Sequence, residues 1–287
     1  MMMRRRLMAG LSLIELLVAM TIALVAVLAA TALYNSTRQT YRVQAMQNRL
    51  AEDGRFAISM LQRVVTQAGF RPTPATPWVG FATPVDPAVP TTTNPPAVTP
   101  TSTTEMTVRF IADGSGAATP DSNQIDCDGQ SVTTNSSTEL VISQSTAGSE
   151  LLCGLPAQAE AARTKWIASS GAGTELVNFR LGYGIDVNPD TALDFGCGAS
   201  GTVAGTLAGD CVADDYLPTD VAPTVMPTTA QPIVAVRACL VLRSDTTDTS
   251  ITREAAWKNC WDNDIAASLT DHKLYRTFRT TILLRNR

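Results

Sequence analysis

No proline interrupts this chain before Pro72, and between Gly10 and Leu33 the only ionised side chain is Glu15. Residues 16–33 are about long enough to span a bilayer core, which takes roughly 20 apolar residues. Beyond Leu33, apolar residues recur at helical spacing: Tyr34, Tyr41, Met46, Leu50, Ala57, Leu61, Val64 and Ala68. Charged residues from Arg38 to Arg63 fill the intervening faces, and Gly69 followed by Pro72 is a stop signal. The pattern predicts one helix from Leu11 to Ala68, roughly 85 Å long at ~1.5 Å per residue. Its first half is apolar all round and its second half amphipathic. Gly54 lies in the amphipathic half, where it marks either a bend or a close-packed contact.

Glu15 is the anomaly. A carboxylate in hydrocarbon costs on the order of 2.5–3.5 kcal/mol on insertion scales. Arg4, Arg5 and Arg6 directly precede the apolar run, which orients the amino end to the cytoplasm. Three readings fit these residues. A plain signal anchor leaves Glu15 without purpose. A secretory signal would be cut after Ala30-Thr31-Ala32. A cut after Gly10 would leave the helix on the mature chain and place a new cationic amine on Leu11, one turn from Glu15.

The basic leader followed by Gly10-Leu11-Ser12-Leu13-Ile14-Glu15 resembles the class III signal of type IV prepilins and pseudopilins. The resemblance implies cleavage after Gly10 by a membrane-embedded prepilin peptidase and methylation of the Leu11 amine. It also implies that Glu15 pairs with the terminal amine of a neighbouring subunit as a filament grows. A buried charge is tolerated when it is paired. Major pilins of this class often carry a proline in the apolar half, which this chain lacks.

After Pro72 the composition changes. Residues 72–104 hold more than half of the prolines together with many threonines, and read as an extended, exposed loop. Strand candidates follow at 105–112, 138–144, 175–187, 232–244 and 274–285. Short helices are expected within 155–167 and 251–261. The expected fold class is α+β, a type IV pilin-like fold in which the amphipathic half-helix packs on an antiparallel β-sheet domain. The expected organisation is a leader at 1–10, a transmembrane or filament-core half-helix at 11–33 and an amphipathic half at 34–69. The Pro/Thr-rich loop at 70–104 and a periplasmic β-rich domain at 105–287 complete it.

Within the prepilin class, finer similarities point to the PilW family of minor pilins. On the helix they are 34–41 (YNSTRQTY), 49–58 (RLAEDGRFAI) and 67–70 (QAGF). In the sheet they are 181–186 (LGYGID), 233–244 (IVAVRACLVLRS) and the ending 275–287 (YRTFRTTILLRNR). The Pro/Thr loop and residues 190–230 lie outside the resemblance. It implies a low-abundance subunit that primes type IV pilus assembly. The implied partners are other minor and major pilins, prepilin peptidase, the inner-membrane assembly platform and a tip adhesin. The implied location is the inner membrane before assembly, with the amino end cytoplasmic and the domain in the periplasm, and the pilus at the cell surface afterwards.

Six cysteines in a domain delivered to the periplasm suggest three disulfides among fifteen possible connectivities. Neighbour pairing, Cys127–Cys153, Cys197–Cys211 and Cys239–Cys260, is the expectation. The last pair is similar to the stapled loop near the carboxyl end of many pilins. Asp186, Asn188 and Asp190 open like a calcium loop, but Thr191 replaces the turn glycine and Cys197 the closing acid. A solvated acidic loop, with no metal, is the expected reading there.

Composition excludes several classes. A single histidine, His272, removes most metal sites and Ser–His or Cys–His mechanisms. A net charge of −4 with scattered arginines gives no nucleic-acid signature. No nucleophile-elbow, Walker or metal motif occurs, so no enzyme activity and no cofactor are expected. The nearest alternative is a type II secretion pseudopilin of the J type; a membrane-tethered periplasmic enzyme is a more distant one.

Overall fold

The proline-free stretch forms one α-helix, α1, over Leu13–Thr66. The structure, a computed structural model, describes residues 12–71, 97–112, 124–132, 137–169, 171, 173–185, 212–213, 215–217 and 233–284. The chain divides into two units, Met1–Gln47 and Asn48–Arg287. That division falls within the half-helix expected at 34–69.

In the first unit every described residue from Ser12 to Arg42 is exposed. The threonine hydroxyls in and just beyond the apolar run are satisfied by the helix itself. Thr21, Thr31 and Thr37 donate to the carbonyls of Val18, Leu28 and Leu33 at 2.8–2.9 Å. Such back-bonding satisfies these hydroxyl donors on an apolar surface.

In the second unit, Leu50, Gly54, Ala57, Leu61, Val64 and Val65 form one buried stripe of α1 at the spacing of a helix face. The helix stops where Gly69 takes a left-handed φ of 76°, a conformation costly for other residues. The Gly69 N–H then donates to the Arg109 carbonyl at 2.9 Å, tying the helix end to the first sheet.

That sheet is an antiparallel meander of β1 (Val98–Ser102), β2 (Glu105–Ile111), β3 (Ser137–Gln144), β4 (Leu151–Gly154) and β5 (Thr164–Ile167), paired in sequence order. The remaining strands are β6 (Thr174–Ile185), β7 (Asp215–Leu217), β8 (Ile233–Ser244), β9 (Trp257–Lys258), β10 (Asp264–Ile265) and β11 (Tyr275–Leu283). A second sheet has the order β11-β8-β6-β7, and β9 and β10 pair as a short hairpin. One core joins the helix stripe to both sheets. Leu61 and Val64 share it with Phe110 of β2, Phe179 of β6 and Leu240 of β8.

The α+β class stands as expected; three details differ. The amphipathic half-helix packs against two sheets, where one was expected. Val98–Ser102, placed in the Pro/Thr-rich loop by composition, is β1. It carries Pro100 at the edge of the first sheet, the one place in a sheet where a missing N–H costs little. Of the short helices expected within 155–167 and 251–261, the first is reduced to a 3₁₀ turn and the second is not formed. The first interval holds one 3₁₀ turn, Glu160–Ala162, and β5; the second holds β9. In β5, Trp166 is buried and its indole N–H donates to the Cys127 carbonyl at 2.8 Å, a long-range bond that local periodicity does not report.

One charge is buried within the first sheet. Arg109 is 3 % exposed, and its Nε lies 2.7 Å from Oε1 of Glu139, directly across the β2–β3 register. A second donor from the same guanidinium meets the Thr99 hydroxyl on β1. A buried guanidinium is tolerated only when its donors are met in this way.

Candidate assembly surface

Gly10 and Leu11, the expected processing residues, lie outside the described residues. Glu15 lies in the first turn of α1, where its carboxylate accepts the backbone N–H of Ser12 at 3.0 Å. Ser12-x-x-Glu15 is the spacing of a capping box, and this bond is its reciprocal half, from the third helical position back to the cap residue. Glu15 therefore has an intrachain role that the sequence reading did not weigh. A carboxylate in the first turn also interacts favourably with the helix dipole.

Around Glu15 the first unit presents a nearly all-apolar exposed helix. Leu13, Ile14, Met20, Ile22, Leu24 and Val25 are each more than 60 % exposed. By length and composition α1 is able to cross a membrane. Apolar side chains on this scale are a docking or membrane surface, not a stable water-facing one.

Two disulfides are present among the described residues, Cys127–Cys153 and Cys239–Cys260, and both join the cysteines expected to pair. Cys127 and Cys153 lie in the main core. Their bond fastens the segment 124–132 to β4, and Gln67 beyond α1 holds the same segment. The Gln67 amide donates to the Ile125 carbonyl at 3.1 Å and its oxygen accepts the Ile125 N–H. Cys239–Cys260 fastens the connection between β8 and β11 onto β8. Cys197 and Cys211 lie outside the described residues, as do Asp186, Asn188 and Asp190 of the calcium candidate. Among the described residues no group of three or more His, Cys, Asp or Glu side chains is arranged to hold a metal ion.

The stapled connection carries a polar and aromatic cluster that sequence inspection missed. Arg243 Nε reaches Oε2 of Glu175 at 2.7 Å, and Lys273 Nζ reaches the same oxygen at 3.3 Å. The Tyr275 hydroxyl donates to Asp271. Burial, and then that bond, push the Tyr275 phenol above its ordinary value. The Arg253 guanidinium lies 4.9 Å and 5.2 Å from the ring centroids of Trp257 and Tyr275. On the same sheet, Arg180 lies 3.7 Å over the Trp261 ring and Arg237 3.3 Å over the Tyr216 ring. The arginines of β6 and β8 are visible in the sequence, but Arg180 and Arg237 meet aromatic rings from elsewhere in the chain, Trp261 between β9 and β10 and Tyr216 of β7.

Acidic groups near the first sheet have a different environment. Burial tends to raise the Glu150 carboxyl, but hydrogen bonds from Lys165 and Ser169 outweigh it and hold the group below its ordinary value. The Thr146 hydroxyl and N–H do the same for Glu160. These are stabilising contacts of loops.

The sequence pattern of the family described as type IV pilus-assembly protein W (PilW) matches residues 127–286. No curated protein matches the chain. Among solved structures, a type IV-like pilin from Thermus thermophilus aligns with a TM-score of 0.43 at 11 % identity, covering 83 % of this chain and 98 % of that one. The family match covers more than half of the sequence and both described disulfides, and on that ground this chain belongs to the type IV pilus-assembly protein W family.

Proposed function

We propose that this chain is a minor pilin, a structural subunit that helps prime a type IV pilus and is matured by prepilin peptidase after Gly10. The observation that carries the reading is Glu15, the only ionised group of the apolar run, on a helix half that is exposed throughout. A helix of that kind needs lipid before assembly and other apolar helices afterwards. Glu15 then meets the Leu11 amine of a neighbouring subunit, and the pair replaces the water each group loses. The chain is held in the inner membrane with its sheet domain in the periplasm, and enters the pilus with other pilins through the assembly platform. It performs no catalysis.

Amino-terminal sequencing and intact mass of the mature protein test this reading. A start at Leu11 with an added methyl group is the expected result, and Gly10→Val retains the leader. A mature start at Leu33 would instead make the apolar run a removed secretory signal.

A further inference from the structure

Three arginines from three strands share one face of the second sheet. Arg180 on β6 and Arg279 on β11 both lie opposite Cys239 of β8, and Arg237, two residues along β8, lies opposite Gly182 and Thr281. The strand spacing puts the backbones of Arg180 and Arg279 about 10 Å apart, with Arg237 about 7 Å along the strand direction. All three line one open groove of about 560 Å³, and Gly182 leaves it without a side chain at that position. That volume lies in the range of binding pockets, roughly 300–1,000 Å³.

This concentration of positive charge runs against the chain as a whole, whose net charge is −4. Like charges on neighbouring positions of one sheet face repel, so the arrangement has a cost that an anion would relieve. Two of the guanidiniums are held in place. Arg180 donates to the Cys260 carbonyl at 3.0 Å and stacks on Trp261, and Arg237 stacks on Tyr216. Stacking fixes the plane of a guanidinium while leaving its edge donors directed outward. Arg237 and Arg279 are exposed. Arg279 meets Asp262 at 3.5 Å, with the two side chains 62 % and 82 % exposed, a contact of little strength in water.

We infer that this groove binds an extended acidic peptide segment of another protein, whose carboxylates take bidentate hydrogen bonds from Arg237 and Arg279. Arg237 and Arg279 stand on adjacent strands two residues apart in register, and Arg237 reaches across β6 to the Tyr216 ring of β7, so the two carboxylates come from separate positions along the segment. Bidentate guanidinium–carboxylate pairs are among the stronger polar contacts available to such a site. Nucleic acid is disfavoured, because three arginines neutralise few phosphates and the acidic chain repels a polyanion. Naming the donor as another filament subunit rests on the filament reading; the binding chemistry does not.

The test uses the full chain in detergent micelles and a fluorescein-labelled peptide of alternating Glu and Thr. Saturable binding that weakens with salt is expected, and Arg237→Gln and Arg279→Gln should each weaken it about tenfold. Arg237→Lys should fall between, since it keeps the charge and loses the fork. Thermal unfolding of each variant confirms that the sheet is intact. Absence of binding by the wild-type chain overturns the inference, as does equal binding by the glutamine variants. Equally tight binding of a Gln–Thr peptide or of a single-stranded oligonucleotide also overturns it. Processing at Gly10 is read separately by mass, so failure here and failure of the filament reading are distinguishable.

Discussion

The ring of Phe278 rests on Gly54: a Cβ added to Gly54 would stand 2.2 Å from both Cε2 and Cζ of that ring. Helix α1 continues through this position, so the glycine serves close packing and does not break the helix. It lets β11 approach the buried stripe of α1. Gly54→Ala gains up to ~1 kcal/mol of helix propensity but overpacks a filled contact at ~1–3 kcal/mol. A net loss of about 1–2 kcal/mol is expected in urea unfolding. Adding Phe278→Leu should recover part of that loss, a non-additivity typical of residues in contact. A more stable Gly54→Ala protein would contradict the contact.

Peptide mapping without reduction should recover Cys127 joined to Cys153 and Cys239 joined to Cys260. Replacing either pair by serine should lower stability by ~2–4 kcal/mol, given closed loops with sequence separations of 26 and 21. Alkylation of the denatured, unreduced protein should label no cysteine, which extends the expectation to Cys197 and Cys211. Six labelled thiols would show that the domain never met an oxidising compartment.

For Glu15, two substitutions separate a local role from an intersubunit one. Glutamine at the third helical position keeps the capping box, whereas leucine removes it and loosens the first turn by about 0.5–1 kcal/mol. If Glu15 acts through its charge, Glu15→Gln and Glu15→Leu should both be cleaved normally, remain in the membrane and enter few pili. Leaving the partner amine unpaired in the filament core would cost on the order of 3–5 kcal/mol. Sheared pili and membrane fractions from the same cells measure this. Wild-type incorporation of Glu15→Gln would mean that the helix cap, and not the charge, is what the position supplies.

Acid should loosen the first sheet through Glu150. Its carboxyl is held below the ordinary value of 4.5, so its contribution is complete above that pH and is lost as pH falls through the lower native value. Lys165 Nζ lies 2.8 Å from the carboxylate with a side chain 43 % exposed, which limits the pair to about 0.5–1 kcal/mol. Lys165→Met should lower neutral stability by about 0.5–1 kcal/mol and flatten the acid limb of the stability curve below pH 4.5. An unaltered acid limb would show that Lys165 does not hold the group down.

Much of this architecture is already written along the chain. Helix α1 follows from the absence of proline before Pro72 and from an apolar repeat through Leu50, Ala57, Leu61 and Val64, which the helix buries. Strands β2, β3, β6, β8 and β11 lie close to the runs rich in Val, Ile, Leu, Phe and Tyr. These are local signals, since periodicity and propensity act over a few residues. Glu15 stands out for the same reason, as a lone charge in an apolar run, and even its bond to Ser12 spans a spacing visible in the sequence. What needed the tertiary structure is the pairing of distant segments. Pro100 sits in a strand because an edge position against β2 spares it a ladder bond, and the core needs two sheets because α1 buries its stripe against both. Arg180, Arg237 and Arg279 share one groove only because antiparallel register places β6 and β11 on either side of Cys239. Register is decided by which face of each strand is buried, a property of the assembled core that no single strand's sequence contains.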